Sequence, residues 1–176
     1  MIKTHIRDAT PADFAAIVAL NTAAVHFTSP MDAASLAHLH AHAAYHRVVA
    51  DAETVHAFLL AFREGAPYDS PNYRWFVEHV AHFLYIDRIV VDDAARGRGF
   101  GKILYDDIIA FAQSSAVAKL TCEFDLDPPN PVSANFHRRY GFREVGRQWL
   151  HGGKKQVSLQ ARELEGTRAE SGMIGA

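Results

Sequence analysis

The chain has 176 residues, of which 49% are hydrophobic and 22% are charged, a balance typical of one globular domain with a sizeable core. Its 18 lysines and arginines and 20 acidic residues leave a formal net charge of −2, which excludes an overall field attracting nucleic acid or an anionic membrane. The single cysteine excludes an internal disulfide, and no apolar run reaches the length of a membrane span, so we expect a cytoplasmic protein without nucleic-acid or membrane partners.

The first half of the chain contains patterns for a strand, two helices and two further strands. These segments lie in order at residues 4–7, 10–25, 32–43, 45–50 and 54–62. Thr10 and Pro11 suit the N-cap and first turn of the first helix, and Pro30 marks the break after it. A short helix follows around Trp75 and Phe76, whose large side chains we expect to pack on the core.

Four histidines crowd one short segment of the chain: His38, His40, His42 and His46. On one continuous helix, His38, His42 and His46 would share a face, with a spacing suited to a metal such as zinc. The pattern at residues 45–50 instead predicts a strand, which removes His46 from that face, and no acidic or cysteine ligand is spaced to complete a closed site. We therefore expect no metal here, but a solvated face or the lining of a substrate pocket.

The segment 85–105 predicts an apolar strand, a glycine-rich turn and the start of a helix. Basic residues alternate with glycines in the turn, which contains Arg96, Gly97, Arg98, Gly99, Gly101 and Lys102. Backbone N–H groups at the start of a helix lack intrahelical acceptors, and the helix dipole makes that end positive. Because glycine lets the main chain approach a ligand closely, the turn predicts a bound phosphate, in particular a pyrophosphate.

Two familiar phosphate motifs do not fit this turn. The dinucleotide pattern G-x-G-x-x-G fails because Lys102 stands at its third glycine, and the Walker pattern fails because Ile103 replaces its Ser or Thr. These failures count against a nucleotide-binding protein that uses the same loop. The pattern that fits is Arg-x-x-Gly-x-Gly, at Arg96, Gly99 and Gly101, although taken alone it fits a plain glycine-rich turn equally well.

A second informative segment, residues 130–142, predicts a short helix ended by Gly141 and followed by a strand. Together the two segments resemble the GNAT acyltransferase superfamily. The first resembles its acyl-CoA motif, in which loop amides hold the CoA pyrophosphate. The second matches the corresponding pattern at Asn130, Ser133, Gly141 and Phe142. His137 stands where the superfamily usually has a tyrosine.

The resemblance implies an α/β protein with the GNAT fold. This fold has a mixed, mostly antiparallel central sheet with one splayed parallel strand pair, flanked by helices on both faces. The resemblance covers residues 1–163 as a single acetyltransferase domain, most sharply over 83–142, and leaves residues 164–176 as a flexible tail. In some relatives the final strands, here 142–150 and 156–164, pair across a homodimer, so a homodimer is a further expectation.

The implied activity is that of an N-acetyltransferase, which moves an acetyl group from acetyl-CoA to a small-molecule or peptide amine by direct transfer in a ternary complex. An alternative is a non-catalytic acyl-CoA-binding sensor or regulatory module, because His137 replaces the usual tyrosine. In the superfamily, the strand before the loop pairs with pantetheine, and one of its N–H groups holds the thioester carbonyl. The resemblance therefore implies a cofactor-binding set of Ile89, Val90, Val91, Arg96, Gly97, Arg98, Gly99, Phe100, Gly101, Lys102, Asn130, Ser133, Phe136 and His137.

Three residues are candidates for the catalytic base, ranked Asp87, Glu123 and Asp125. Asp87 lies in the central strand in an apolar setting, where burial raises the pKa of a carboxyl group toward a value useful in a base. Strand alternation argues against its pairing with the adjacent Arg88. Glu123 and Asp125 alternate along the next strand, so we expect both to face one side of the sheet.

His137 is the first candidate for the catalytic acid, because a protonated imidazole can donate to the leaving thiolate. Its ordinary pKa of about 6.5 leaves it largely neutral at pH 7. Tyr140 would substitute only if its side chain turned toward the cofactor. A third interpretation is that the thiolate leaves unassisted and His137 packs against CoA.

Overall fold

A computed structural model describes residues 4–52 and 54–165, which form a seven-stranded sheet with helices on both faces. The strands are His5–Asp8 (β1), Tyr45–Ala50 (β2), Val55–Arg63 (β3), Phe83–Val91 (β4), Lys119–Asp127 (β5), Arg143–Leu150 (β6) and Lys155–Glu163 (β7). The helices are Phe14–Ala23 (α1), Ala33–His42 (α2), Pro71–His79 (α3), Phe100–Ser114 (α4) and Pro131–Arg139 (α5), with short 3-10 turns at Pro11–Asp13 and Asp93–Ala95. Leu164 is buried after β7, whereas residues 166–176, most of the predicted tail, lie outside the described residues.

The strand order is β1-β2-β3-β4-β5-β7-β6, and within the described chain β4 and β5 are the only parallel neighbours. Their pairing is short, running from Phe83 with Lys119 to Tyr85 with Thr121. Beyond Tyr85 the two strands part and leave the sheet open between them. The predicted mixed sheet with one splayed parallel pair is therefore confirmed.

Each face of the sheet is covered by its own helices. On one face α4 buries Leu104, Tyr105 and Ile108, and α5 adds Phe136 at its margin. The other face is covered by α1 and α2 over its first strands and by α3 over β4 and β7. Burial of a large apolar side chain contributes about 1.5–3 kcal/mol, so packing fixes where α4 begins and where the preceding loop lies.

Helix α3 packs closely on the edge strand of the sheet. Phe76 is fully buried in the core, as predicted, and Trp75 lies against the backbone of β6 at Gly146. A Cβ atom at Gly146 would come within 2.5 Å of Trp75 Cζ2, so only glycine fits there without a shift of the indole ring. This contact brings α3 and β6 together next to the opening between β4 and β5.

Strand β4 contains a bulge at Asp87. Ile86 pairs with Ala61 and Arg88 pairs with Leu60, so Asp87 has no partner on β3. One extra residue reverses the alternation of side chains beyond it, and Asp87 and Arg88 therefore point to the same face. The expectation that alternation separates these two side chains is wrong for this reason: Arg88 Nε lies 2.6 Å from Asp87 Oδ2.

No helix in the described ranges is long and apolar enough to span a membrane.

Candidate active site

The parting of β4 and β5 opens a cleft of about 1810 Å³. One side, the glycine-loop half, is formed by residues 89–102 and by α5. The other side, the carboxylate half, is formed by residues 24–31 between α1 and α2, by nearby residues of these two helices and by residues 67–72. Its further residues are Leu20, Ala23, Ser35, His38, Leu39, Asp87, Arg88, Glu123, Asp125, Leu150, His151, Lys155 and Val157. Residues from both sequence motifs and all three candidate bases thus lie around one opening.

The glycine-rich turn forms the start of α4, as predicted. Gly97 and Gly99 have φ angles of +78° and +80°, a left-handed conformation that favours glycine, and Gly99 is the N-cap of the helix. The N–H groups of Phe100, Gly101 and Lys102 consequently have no intrahelical acceptor. Six of the seven predicted residues from Arg96 to Lys102 line the cleft, whereas the guanidinium of Arg98 stacks over the Phe100 ring at 4.7 Å.

Gly101 lies between α5 and the end of β4, with room for a small side chain. A Cβ atom at this position would lie 3.9 Å from both Phe136 Cζ and Val91 Cγ2, which is ordinary van der Waals contact. Asn130 has a structural role, since its Oδ1 atom accepts the Ser133 N–H at 3.1 Å and caps α5. The glycine-rich turn and the 130–142 segment are therefore in contact through Phe136 of α5, the helix that Asn130 caps.

The end of β4 offers a free backbone edge to the cleft. Ile89, Val90 and Val91 pair with β3 on one side, and pairing with β5 has already ended at Tyr85. All three residues line the cleft. An extended ligand can add to such an edge as a further strand.

Asp87 is buried and both of its carboxylate oxygens are engaged. Arg88 Nε lies 2.6 Å from Oδ2, and the Tyr68 hydroxyl donates to Oδ1. Arg88 in turn donates to Asn21 Oδ1 at 2.9 Å and to Ser29 Oγ at 3.0 Å. This network links the bulge to α1 and to the connection before α2, and burial together with the Asp87 charge raises the pKa of Tyr68 well above its usual range.

Glu123 has one engaged and one free carboxylate oxygen. Oε1 accepts from Asn72 Nδ2 at 2.8 Å and from the Tyr85 hydroxyl at 3.0 Å. Oε2 is buried and has no hydrogen-bond partner in the described part of the chain. Burial, followed by the nearby charge of Asp87, raises the pKa of Glu123 to about 8. Gln148 Nε2 donates to Asn72 Oδ1 at 2.5 Å and so holds the amide that orients Glu123.

Asp125 shares the face of β5 with Glu123, as predicted, but it is paired with a cation. Lys155 Nζ lies 3.0 Å from Asp125 Oδ1, and the carboxylate side chain is only 10% exposed. The neighbouring Cys122 points to the other face and is buried, which raises the pKa of its thiol well above the usual range. Glu123 is thus the candidate base without an ion pair among the described residues.

His137 is enclosed by the core at the edge of the glycine-loop half. Its Nδ1 lies 2.8 Å from the Ser133 carbonyl oxygen, which only accepts, so Nδ1 carries the proton. Nε2 therefore accepts from the Tyr105 hydroxyl, at 2.7 Å. Burial lowers the pKa of His137, which favours this neutral form. Tyr140 donates instead to Asp106 Oδ1 at 2.9 Å, so its hydroxyl is directed away from the cleft.

The histidine cluster is divided between α2 and β2, as the strand pattern predicted. His46 lies in β2, and its Nδ1 atom is 2.8 Å from Nδ1 of His40. Burial, with the charge of His40, lowers the pKa of His46 to about 4. Among residues 4–52 and 54–165, no three histidine, cysteine, aspartate or glutamate side chains are grouped to hold a metal.

Several residues of the site belong to no motif and were missed in the sequence: Tyr68, Asn72, Tyr85, Tyr105 and Gln148. Tyr85 lies two positions before Asp87 on a predicted strand, a spacing that signals a shared face. The other four carry no such signal, because only tertiary packing brings Tyr68, Asn72 and Tyr105 to the cleft and Gln148 to Asn72.

A family model described as the acetyltransferase (GNAT) family matches residues 13–142, which contain the free edge of β4, the glycine-rich turn and the whole of α5. The chain belongs to the GNAT acetyltransferase family. No curated protein sequence matches it significantly.

Solved GNAT structures share the fold of this chain at low sequence identity. The ribosomal-protein-S18-alanine N-acetyltransferase from Escherichia coli has a TM-score of 0.72 at 14% identity, over 96% of this chain and 98% of that one. Ard1 from Thermoplasma volcanium gives 0.74 at 16% identity, over 92% and 98%. An N-acetyltransferase from Staphylococcus aureus Mu50 gives 0.69 at 20% identity, over 93% and 99%. These structures establish the fold of the chain and do not identify its acceptor.

Proposed function

We propose that this GNAT protein is an N-acetyltransferase that moves an acetyl group from acetyl-CoA to a primary amine by direct transfer in a ternary complex. The observation that carries the proposal is the buried Oε2 atom of Glu123, which has no hydrogen-bond partner among the described residues, on a residue that lines the same cleft as the glycine-rich turn. A carboxyl group with a pKa of about 8 is suited to accept a proton near neutral pH.

The residues of the glycine-loop half fit acetyl-CoA. The free N–H groups at residues 100–102 and the basic side chains of Arg96 and Lys102 are suited to a pyrophosphate. The open edge of β4 at residues 89–91 is suited to pair with an extended pantetheine chain and to present an N–H group to a carbonyl oxygen. When bound, acetyl-CoA supplies the activated acetyl thioester.

Glu123, rather than Asp87, is proposed as the base. An alkylammonium must lose a proton before its nitrogen can attack, and Oε2 of Glu123 is free to take it. Both oxygens of Asp87 are occupied by Tyr68 and Arg88. Asp87 then acts on Glu123 through its negative charge, which contributes to the raised pKa of Glu123.

Neither candidate acid is proposed to protonate the thiolate. His137 is neutral, and both of its ring nitrogens are engaged by Ser133 and Tyr105. The hydroxyl of Tyr140 is engaged by Asp106 on the outer side of α4. We propose instead that the thiolate leaves unassisted by these side chains and that His137 shapes the wall beside it.

The first experiment is isothermal titration calorimetry with acetyl-CoA, with ATP as the control ligand, on the wild type and a Gly99→Val variant. Valine is strained at a φ of +80°, and Gly99 is the N-cap of α4 and lines the cleft, so we expect affinity to fall by about tenfold or more. Gly153→Val is the matched control, because Gly153 has a φ of +87° with open space around it, in the turn between β6 and β7. Folded wild-type protein that does not bind acetyl-CoA would overturn the proposal.

The second candidate function is an acyl-CoA sensor without catalysis, which the neutral, enclosed His137 favours. It predicts acetyl-CoA binding but no release of free thiol with any amine. Turnover with one amine, abolished by Glu123→Gln, would exclude the sensor. A homodimer through the final strands stays a prediction, and β6 is the edge strand that it would use.

A further inference from the structure

The carboxylate half carries charges that are largely neutralised by one another. Asp87 is paired with Arg88 at 2.6 Å, and Asp125 is paired with Lys155 at 3.0 Å. In both pairs the carboxylate side chain is at most 10% exposed, so the charges are held out of bulk water, where pairing matters most. A third pair on this side, Asp69 with Arg74 at 3.2 Å, is exposed and therefore weak.

This pairing limits what the acceptor can carry besides its amine. Glu123 is the acidic side chain left without an ion pair among the described residues of this half, and its free oxygen suits one ammonium group. A second ammonium would find both other buried carboxylates occupied. A carboxylate on the acceptor would likewise find Arg88 and Lys155 already engaged. Either additional charge would lose water and would find these two buried ion pairs already formed.

The remaining wall of the carboxylate half is apolar. Phe27 and Val25 lie at its mouth with 57% and 40% of their surfaces exposed, and Met31, Leu39, Leu150 and Val157 line it further in. Exposed large apolar groups beside a cleft mark a surface that gains free energy when a ligand covers it. Three histidines, His26, His38 and His151, also face this half.

We infer that the acceptor is a monocationic primary amine attached to an uncharged, apolar body, with the amine directed to Glu123 and the body covering the wall near Phe27. The inference rests on the proposed function, because it takes Glu123 as the base. The same chemistry can come from a free arylalkylamine or from a peptide whose N-terminal residue is apolar.

The test compares kcat/KM for three small amines by free-thiol release: 2-phenylethylamine, putrescine and β-alanine. We expect 2-phenylethylamine to exceed both others by about tenfold or more, because it alone adds apolar contact without an additional charge. A rate for putrescine or β-alanine equal to or above that of 2-phenylethylamine would overturn the inference and leave the proposed function standing. If acetyl-CoA binds but no amine of the panel or of the peptides below is acetylated, the proposed function itself fails.

Two peptides with a free N-terminal amine and an amidated C-terminus, one beginning with Phe and one beginning with Asp, distinguish the source of the amine. Faster acetylation of the Phe peptide than of 2-phenylethylamine identifies a peptide N-terminus as the source, and the reverse order identifies a free amine. Preference for the Asp peptide over the Phe peptide contradicts the inference.

Two variants test the role of the buried pair directly. Lys155→Met leaves Asp125 without its cation, so the ratio of kcat/KM for putrescine to that for 2-phenylethylamine should rise by about tenfold. Asp125→Asn frees Lys155, so the corresponding ratio for β-alanine should rise. Because both kcat/KM values in a ratio come from the same variant, a general loss of activity or a change at Glu123 affects both values and leaves their ratio unchanged.

Lys119→Met is the matched control for these variants. Lys119 pairs with Glu163 at 3.2 Å across β5 and β7 and does not line the cleft, so its loss should leave both ratios unchanged. Unchanged ratios in Lys155→Met and in Asp125→Asn, with both proteins folded, would show that the pair does not set the charge preference and would overturn the inference.

Discussion

The glycine-loop half of the cleft is built mainly from one contiguous stretch of chain, residues 89–102, whereas the carboxylate half is assembled from distant segments. Its key carboxyl group, Glu123 on β5, is oriented by Asn72 on α3 and Tyr85 on β4, and Gln148 on β6 holds Asn72. The first half therefore presents backbone amides whose position depends on local conformation. The second half depends on tertiary packing. Single substitutions should therefore be able to impair catalysis in the carboxylate half without weakening acetyl-CoA binding in the glycine-loop half.

The largest difference between the effect on catalysis and the effect on acetyl-CoA binding is expected from Glu123→Gln. Loss of the base should lower kcat/KM by about 10²–10⁴-fold, while the affinity for acetyl-CoA stays unchanged because the glycine-loop half is intact. In the wild type, kcat/KM should rise with pH up to a pKa of about 8 and then level off, since the deprotonated carboxylate is the active form. The variant should lose this rise.

Calorimetry with acetyl-CoA checks the affinity, and an assay of free-thiol release at a series of pH values checks kcat/KM. Glu163→Gln on β7 is the control, because this glutamate is 76% exposed and outside the cleft. Retention of wild-type kcat/KM within a factor of about ten by Glu123→Gln would transfer the role of base to another group.

A smaller effect, confined to the carboxylate half, is expected from Tyr85→Phe. The hydroxyl of Tyr85 donates to Glu123 and lowers its pKa, so its removal should move the midpoint of the pH profile upward by about half to one pH unit. Activity at pH 7 falls accordingly, with a plateau near the wild-type value at high pH. Tyr73→Phe is the matched control, since that hydroxyl donates to the Arg63 carbonyl instead. A midpoint that moves equally in both variants would contradict the assignment.

The smallest effect on catalysis is expected from His137→Phe, in the glycine-loop half. Because His137 is neutral and engaged by core partners, kcat should fall by less than about tenfold, while the buried Tyr105 hydroxyl loses its acceptor at a cost of about 1–3 kcal/mol in stability. Thermal unfolding measures the second part. The double variant with Tyr105→Phe should regain stability, because neither partner is then polar. A collapse of kcat comparable to that of Glu123→Gln in folded protein would identify His137 as an acid.

The difference between the halves also explains what the sequence could predict. The turn around Gly99 and the helix that begins after Asn130 are set by local conformation, so the sequence pattern predicted both elements, and the resemblance to GNAT proteins implied that they share one site. The mixed, mostly antiparallel sheet and its splayed parallel pair followed from the resemblance to GNAT proteins and are confirmed. The candidate carboxylates were also found, because strand alternation places Glu123 and Asp125 on one face.

The partners of those carboxylates could not be predicted. Whether a buried carboxylate is paired depends on side chains from elements far apart in the chain, such as Lys155 for Asp125. The pairing of Asp87 with Arg88 was predicted wrongly because a bulge is invisible in an alternating apolar pattern: only the register with β3 reveals the extra residue. The enclosed state of His137 likewise depends on Tyr105 from α4.

The bulge in β4 has a consequence for how the acceptor preference of this scaffold can diverge. By turning Arg88 toward Asn21 and Ser29, it anchors the backbone of the α1–α2 connection to β4, the middle strand of the sheet. The side chains at the tip of that connection, Val25 and Phe27, take no part in the anchor and face solvent. A segment whose course is fixed while its outward residues are free to mutate lets selection exchange one acceptor for another without rebuilding the catalytic core.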